Sequence, residues 1–220
     1  MIVGKPGTVL LDFDGVISPN ASELLLTALH GAINRHTPVP FETTALLFKA
    51  ITTFPARAGL GMVFDGLGLG GQFAAESAAI WQATDVGGVK YALAEGIREF
   101  CEGRTIRVCS TMDSSTPRRA IVDGLFGDAD FLPIGHRSKA DPATFTALQD
   151  ELGELPRPWV LVDDSPLALR AAKLAGLTTV LMRGNVFSVE DTAPFATFID
   201  AEVGSFAELA PLLETTEVFS

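Results

Sequence analysis

Asp12 and Asp14 stand one residue apart at the end of the apolar run Val9-Leu10-Leu11, with Phe13 between them and Gly15 after them. Two carboxylates so spaced beyond a parallel strand point into one crevice and can divide labour. One can attack phosphorus and form an acyl-phosphate, while the other protonates the leaving oxygen and later activates water. Gly15 lets the chain turn sharply beside them. Three further segments, distant in sequence, supply what such a reaction still lacks. Ser110, followed by Thr111 at the end of a second apolar run, offers a hydroxyl and nearby backbone N–H groups to a phosphate oxygen. Lys139, before Ala140-Asp141-Pro142, is a fixed cation able to hold a nucleophilic carboxylate and the developing phosphoryl charge together. Asp163-Asp164 closes a third apolar run, where adjacent acids repel unless a cation relieves them, and magnesium suits oxygen ligands of this kind. Singly these are commonplace residues: loop acids, a turn serine, a solvated lysine. In concert they are the parts of a magnesium-dependent phosphoryl-transfer site.

The elements that must position them read as an alternation. Val9-Leu10-Leu11, Ile106 to Cys109, Trp159 to Val162 and Thr179 to Met182 are short strands, mostly apolar on both faces as parallel-sheet strands are. Between them lie helices. Thr116-Pro117, Asp141-Pro142 and Ser165-Pro166 each place a capping side chain before proline at a helix start, and Ser205 to Leu213 reads as a closing helix. This order predicts an α/β fold, a doubly wound, Rossmann-like parallel sheet. One stretch interrupts it. Residues 18–88 hold helical patterns at Glu23 to Asn34, Glu42 to Ala50 and Phe73 to Ala83 and no convincing strand. They predict an inserted α-helical domain, with the α/β core formed by residues 1–17 and 89–220 and the return hinge near either Asp85-Val86-Gly87-Gly88 or Glu95-Gly96.

At 220 residues and 47% hydrophobic content the chain can bury a full core. Its net charge of -11 gives neither nucleic acid nor an anionic membrane a basic face to meet. Cys101 and Cys109 form neither a disulfide framework nor a zinc site, and no apolar run reaches the length of a signal peptide's core or a membrane span, so a cytoplasmic, reducing setting is expected.

In order and approximate spacing, Val9 to Ile17, Ser110, Lys139-Ala140-Asp141-Pro142 and Val162-Asp163-Asp164-Ser165-Pro166 resemble the four motifs of the haloacid dehalogenase superfamily. The resemblance implies Asp12 as nucleophile, Asp14 as general acid/base, and Ser110 and Lys139 as phosphate holders, with Gly15 and Thr111 beside the phosphate. It implies Mg2+ held by Asp12, the Asp14 carbonyl and Asp164, with Asp163 in support. The helical insert looks like the cap of the phosphoglycolate phosphatase and β-phosphoglucomutase branch, and the implied partner is a small phosphorylated metabolite. Ala140 stands where the family usually has proline, which loosens the loop but keeps the amine. Family dehalogenases lack the second aspartate of the first motif, so Asp14 points to a phosphatase or mutase. The mutases carry a histidine early in the first cap helix; Ala21 to Thr27 has none, which makes a hexose-phosphate mutase the weaker alternative. A non-catalytic receiver-like module would also cluster aspartates, a hydroxyl and a lysine around magnesium, but the Asp12/Asp14 pair and the insert speak against it.

Gly66-Leu67-Gly68-Leu69-Gly70-Gly71 has the spacing of a dinucleotide fingerprint without the strand that should precede it, and reads instead as a flexible loop at the mouth of the site, in competition with a plain surface loop. His30, His36 and His136 make no metal site with nearby acids. Phe73, Ile80 and Trp81 are expected on the insert's own apolar face, and Arg35 and Arg57 could meet an anionic substrate or solvent.

Overall fold

The computed structural model describes residues 6–86, 91–111, 116–127, 131–132 and 134–214. Its strands β1 (Thr8–Leu11), β2 (Ile106–Val108), β3 (Trp159–Asp163), β4 (Thr178–Met182) and β5 (Ala201–Val203) form one parallel sheet in the order β2-β1-β3-β4-β5. Between β1 and β2 lie α1 (Ala21–Asn34), α2 (Phe41–Ile51), α3 (Ala56–Gly66) and α4 (Phe73–Trp81), followed by α5 (Ile97–Cys101). Helices α6 (Thr116–Phe126) and α7 (Pro142–Glu151) connect β2 to β3, α8 (Pro166–Leu174) connects β3 to β4, α9 (Val189–Thr192) precedes β5, and α10 (Phe206–Glu214) closes the chain. The expected α/β fold is present.

Alternation along the strands divides the sheet's apolar side chains between two cores. Val9, Leu11, Val160, Val162 and Val180 pack with Phe100 of α5 and Phe206 and Leu209 of α10. Leu10, Leu161 and Leu181 pack on the other side with Phe145 of α7 and Leu169 of α8. A third core lies among α1 to α4, where Leu29, Phe48, Leu60, Phe64 and Ile80 are buried with Phe73 and Trp81 against them.

Three differences from the sequence expectations have local causes. Helix α3 is an addition, its period obscured by Gly59, Gly61 and Gly66. Strand β5 is another, three residues long at the sheet edge with Glu202 exposed. Ser165 stands before Pro166 at the start of α8, yet its hydroxyl makes no capping bond. Asp141 caps α7 as expected, accepting the Ala143 N–H at 2.9 Å. The Thr116 side chain, the 88/89 boundary and Met112 to Ser115 lie outside the described residues. No helix among the described residues is long and apolar enough to cross a membrane.

Candidate active site

From β1 the chain departs toward β2 on one side, and from β3 toward β4 on the other, so the connections leaving these adjacent strands diverge. That divergence opens a crevice at their carboxyl ends. Asp12 follows β1, Asp163 ends β3 and Asp164 comes next, and all three are buried.

Lys139 reaches them from the loop ahead of α7. Its Nζ lies 2.9 Å from Asp12 Oδ1 and 2.7 Å from Asp163 Oδ2, and it donates to the Cys109 carbonyl at 3.2 Å. Burial alone would discharge this amine, but Asp12 and Asp163 more than offset it and hold Lys139 well above the usual lysine range. One amine cannot neutralise three acids. Burial pushes Asp12 up to about 8 against the pull of Lys139, with Asp163 and Asp14 adding repulsion. Asp164 is raised well above the carboxylate range by burial first, then by Asp163 and Asp12.

The same three acids are candidate cation ligands. One oxygen from each of Asp12, Asp163 and Asp164 lies within 4.8 Å of the others. Asp164 Oδ2 is buried with no hydrogen-bond partner, a costly state that a hard, oxygen-seeking dication would relieve. The residues therefore fit magnesium. Backbone approaches Asp164 closely on two sides: a Cβ on Gly15, whose φ is +85°, would sit 2.2 Å from Oδ2, and one on Gly184 would sit 2.8 Å from it. Gly184 has no motif around it that marks this role.

Asp14 behaves differently from its neighbour. Both of its oxygens accept from Arg118, Nη1 and Nη2 each donating at 2.8 Å. The guanidinium is fully buried and stacks over Phe13 at 4.5 Å and Tyr91 at 5.1 Å. Arg118 sits in the first turn of α6, where sequence alone reads an ordinary helix-start residue. The pair holds the Asp14 carboxylate at the cavity floor, outside the three-acid cluster.

A cavity with about 530 Å³ of empty space, its open mouth included, lies between the sheet and helices α1 to α3. Asp12, Asp14, Thr111, Lys139, Asp163 and Asp164 line its floor. Ser110 is buried directly after Cys109 and is not among the lining residues, nor is Gly15. The loop after α2 docks onto this floor. The Thr53 carbonyl accepts from the Lys139 N–H at 2.7 Å and the Ser138 hydroxyl at 3.1 Å, and the Thr111 hydroxyl donates to the Thr52 carbonyl at 3.5 Å. The glycine run from Gly66 to Gly71, expected at the mouth, is a largely exposed turn that contributes no residue to the cavity lining. His30 meets Thr44 and packs on Phe41, His36 meets Glu76, and His136 is exposed.

No protein-family model matches the chain, and no curated protein matches it. Solved structures do. CbbY of Rhodobacter sphaeroides, in a mutant crystallised with xylulose-1,5-bisphosphate, is 20% identical with a TM-score of 0.70 over 96% of this chain and 100% of that one. A Bacteroides vulgatus protein provisionally assigned as a beta-phosphoglucomutase is 17% identical, with a TM-score of 0.68 over 96% of this chain and 87% of that one. A Haemophilus somnus 129pt protein described as a predicted phosphoglycolate phosphatase is 17% identical, with a TM-score of 0.67 over 94% of this chain and 98% of that one. The chain has the fold of the haloacid dehalogenase-like hydrolases.

Proposed function

We propose that the protein is a magnesium-dependent phosphatase that hydrolyses a small phosphate monoester through an aspartyl-phosphate on Asp12. The observation that carries this reading is the buried Asp12–Lys139–Asp163 contact beside the unpartnered Asp164 oxygen, at the floor of a cavity that opens between the sheet and the helices. A fold shared with CbbY, which was crystallised with a sugar bisphosphate, supports a phosphorylated small molecule as substrate. In the first step an Asp12 oxygen bonds to phosphorus as the ester P–O bond breaks, and Asp14 gives its proton to the departing oxygen. In the second, Asp14 takes a proton from water, the water oxygen bonds to phosphorus, and inorganic phosphate leaves as Asp12 is restored. Arg118 donates to both Asp14 oxygens at 2.8 Å and fixes the orientation of that carboxyl group. Lys139 holds Asp12 and the phosphoryl group, with Gly15, Ser110 and Thr111 beside it. Asp12, Asp163, Asp164 and the Asp14 carbonyl would hold Mg2+, whose charge would offset that of the acids and the phosphate.

Residues 18–88 would act as the cap, and residues 1–17 and 89–220 as the catalytic core, the docked loop at Thr52 and Thr53 excluding water from the acyl-phosphate. A cytoplasmic location accords with the acidic charge and two free cysteines. A mutase gains no support, because His30 is turned to Thr44 and Asn34 and does not line the cavity. The test is release of phosphate from p-nitrophenyl phosphate with magnesium and with EDTA. Turnover confined to the magnesium sample is expected, and absence of turnover across a panel of monoesters would overturn the reading.

A further inference from the structure

The cavity floor is charged, but its roof is not. Leu25 of α1, Phe48 and Ile51 of α2, Phe54 of the docked loop, and Ala56 and Leu60 of α3 form most of it. Polar side chains on the roof are limited to Ser22 and Thr52 among the described residues, and the Thr52 hydroxyl already donates to the Lys49 carbonyl at 3.2 Å. Among the described residues no cation reaches the roof from the helical segment. Arg35 and His36 both bind Glu76, Lys49 binds Asp191 at 2.6 Å, and Arg57 is exposed and does not line the cavity. Lys139 is the one basic residue among the described lining residues, and Asp12, Asp163 and the Cys109 carbonyl occupy it.

We propose that the ester accepted here carries an apolar organic group and no second anionic group. The inference rests on the phosphatase reading and adds the substrate class. Once a phosphate sits on the floor, the organic group must extend toward the roof. A second phosphate or a carboxylate there would lose its water against leucine, isoleucine and phenylalanine, with Asp12, Asp14, Asp163 and Asp164 below it and no roof cation among the described residues to pair with. Against the roof a polyol would bury hydroxyls that find only Ser22 and Thr52 as side-chain partners among the described residues. An alkyl or aryl group instead gains by leaving water. Specificity then comes from rejecting charge as well as from attracting carbon.

The test is kcat/KM with magnesium for ethyl, butyl and hexyl phosphate beside glycerol 3-phosphate, glucose 6-phosphate, fructose 1,6-bisphosphate and phosphoglycolate. Primary alkoxide leaving groups throughout the alkyl series keep the chemistry of the broken bond constant. A rise of about 2- to 4-fold per methylene is expected from burial of CH2 groups, with hexyl phosphate above every charged or polyol ester. Phe54 is half-buried and lies outside the helices' shared core. Phe54→Ala should therefore fold, as circular dichroism would verify, and should cut the hexyl-to-ethyl ratio several-fold. If that variant fails to fold, the wild-type series alone decides. A flat or falling series, or a preference for phosphoglycolate or the bisphosphate, would overturn the substrate class and leave the phosphatase standing. No hydrolysis of any ester would overturn both.

Discussion

Removing magnesium should make the fold lose stability as pH rises through a range where most proteins are indifferent. Burial and like charge push Asp12 up to about 8 from an unfolded value of 3.8, and raise Asp164 in the same direction. In the metal-free protein these acids thus stay protonated in the native state while the unfolded chain has lost their protons. Stability falls with pH wherever the native state binds more protons, so the Asp12 contribution is largest below about pH 4 and drains away between about 4 and 8, and the raised Asp164 acts in the same direction. For Asp12 a difference of about four units at ~1.36 kcal/mol each sets a ceiling near 6 kcal/mol. Relaxation and entry of water into an open cavity reduce that to a few kcal/mol. With magnesium bound this slope vanishes, because the ligands must be ionised to bind and neither the folded nor the unfolded state then holds their protons above about pH 4. A hundredfold excess over the dissociation constant adds about 2.7 kcal/mol to the folded state.

The assay is urea unfolding at pH 5, 6.5 and 8, in EDTA and in magnesium, for wild type and Asp164→Ala. Subtracting the variant from wild type removes the contribution of acids that fall in the opposite direction, such as Asp200, which Lys173 and Thr179 hold below the carboxylate range despite burial. In EDTA the variant should be no less stable than wild type at pH 8, since it loses one of three crowded carboxylates, and it should lack the magnesium response. Equal pH profiles for the two proteins in EDTA, or a full magnesium response in the variant, would refute the reasoning.

Asp12→Asn keeps the shape of the nucleophile without its charge, and phosphate release should fall by about three orders of magnitude or more while the melting curve stays cooperative. Near-normal turnover would remove Asp12 from its role. Asp14→Asn replaces the carboxylate that Arg118 grips with both guanidinium nitrogens, and should cost about 1–3 kcal/mol in denaturant unfolding. Its turnover should suffer more for alkyl than for aryl phosphates, because only the poorer leaving group needs a proton on departure; equal losses would count against the acid role. Gly184→Ala places a methyl 2.8 Å from Asp164 Oδ2 and should weaken magnesium affinity, read as a shifted activation curve, with little change once magnesium saturates. An unchanged curve would mean that Asp164 is not held where the metal requires it.

The α/β fold, and the residues gathered at its crevice, are legible in the sequence for one shared reason. Strands such as Trp159 to Val162 are continuous apolar runs because both faces are covered, and an acid at the end of such a run marks the sheet's carboxyl edge. Position along the chain then gives position in space, as the adjacency of Asp12 and Asp163 across Leu11 and Val162 illustrates. No such relation exists for Arg118 or for Gly184. Arg118 matters because α6 brings it beneath Phe13 and Tyr91, and Gly184 because the segment after β4 passes against Asp164; each is a fact of packing between distant segments. The glycine-rich turn shows the converse, a conspicuous pattern that packing leaves outside the cavity lining.

The roof of the cavity is the deeper case. Leu25, Phe48 and Leu60 have the same spacing on their helices as the residues that hold α1 to α4 together, and each serves both surfaces. A helical period identifies an apolar face without telling a core from a binding wall. That distinction depends on which part of the face is left uncovered when three helices meet over the sheet, and on where Arg35, His36 and Lys49 find their acids. Chemistry at strand ends is therefore written locally, whereas selectivity here arises from how a charged floor and an uncharged roof are brought to face each other.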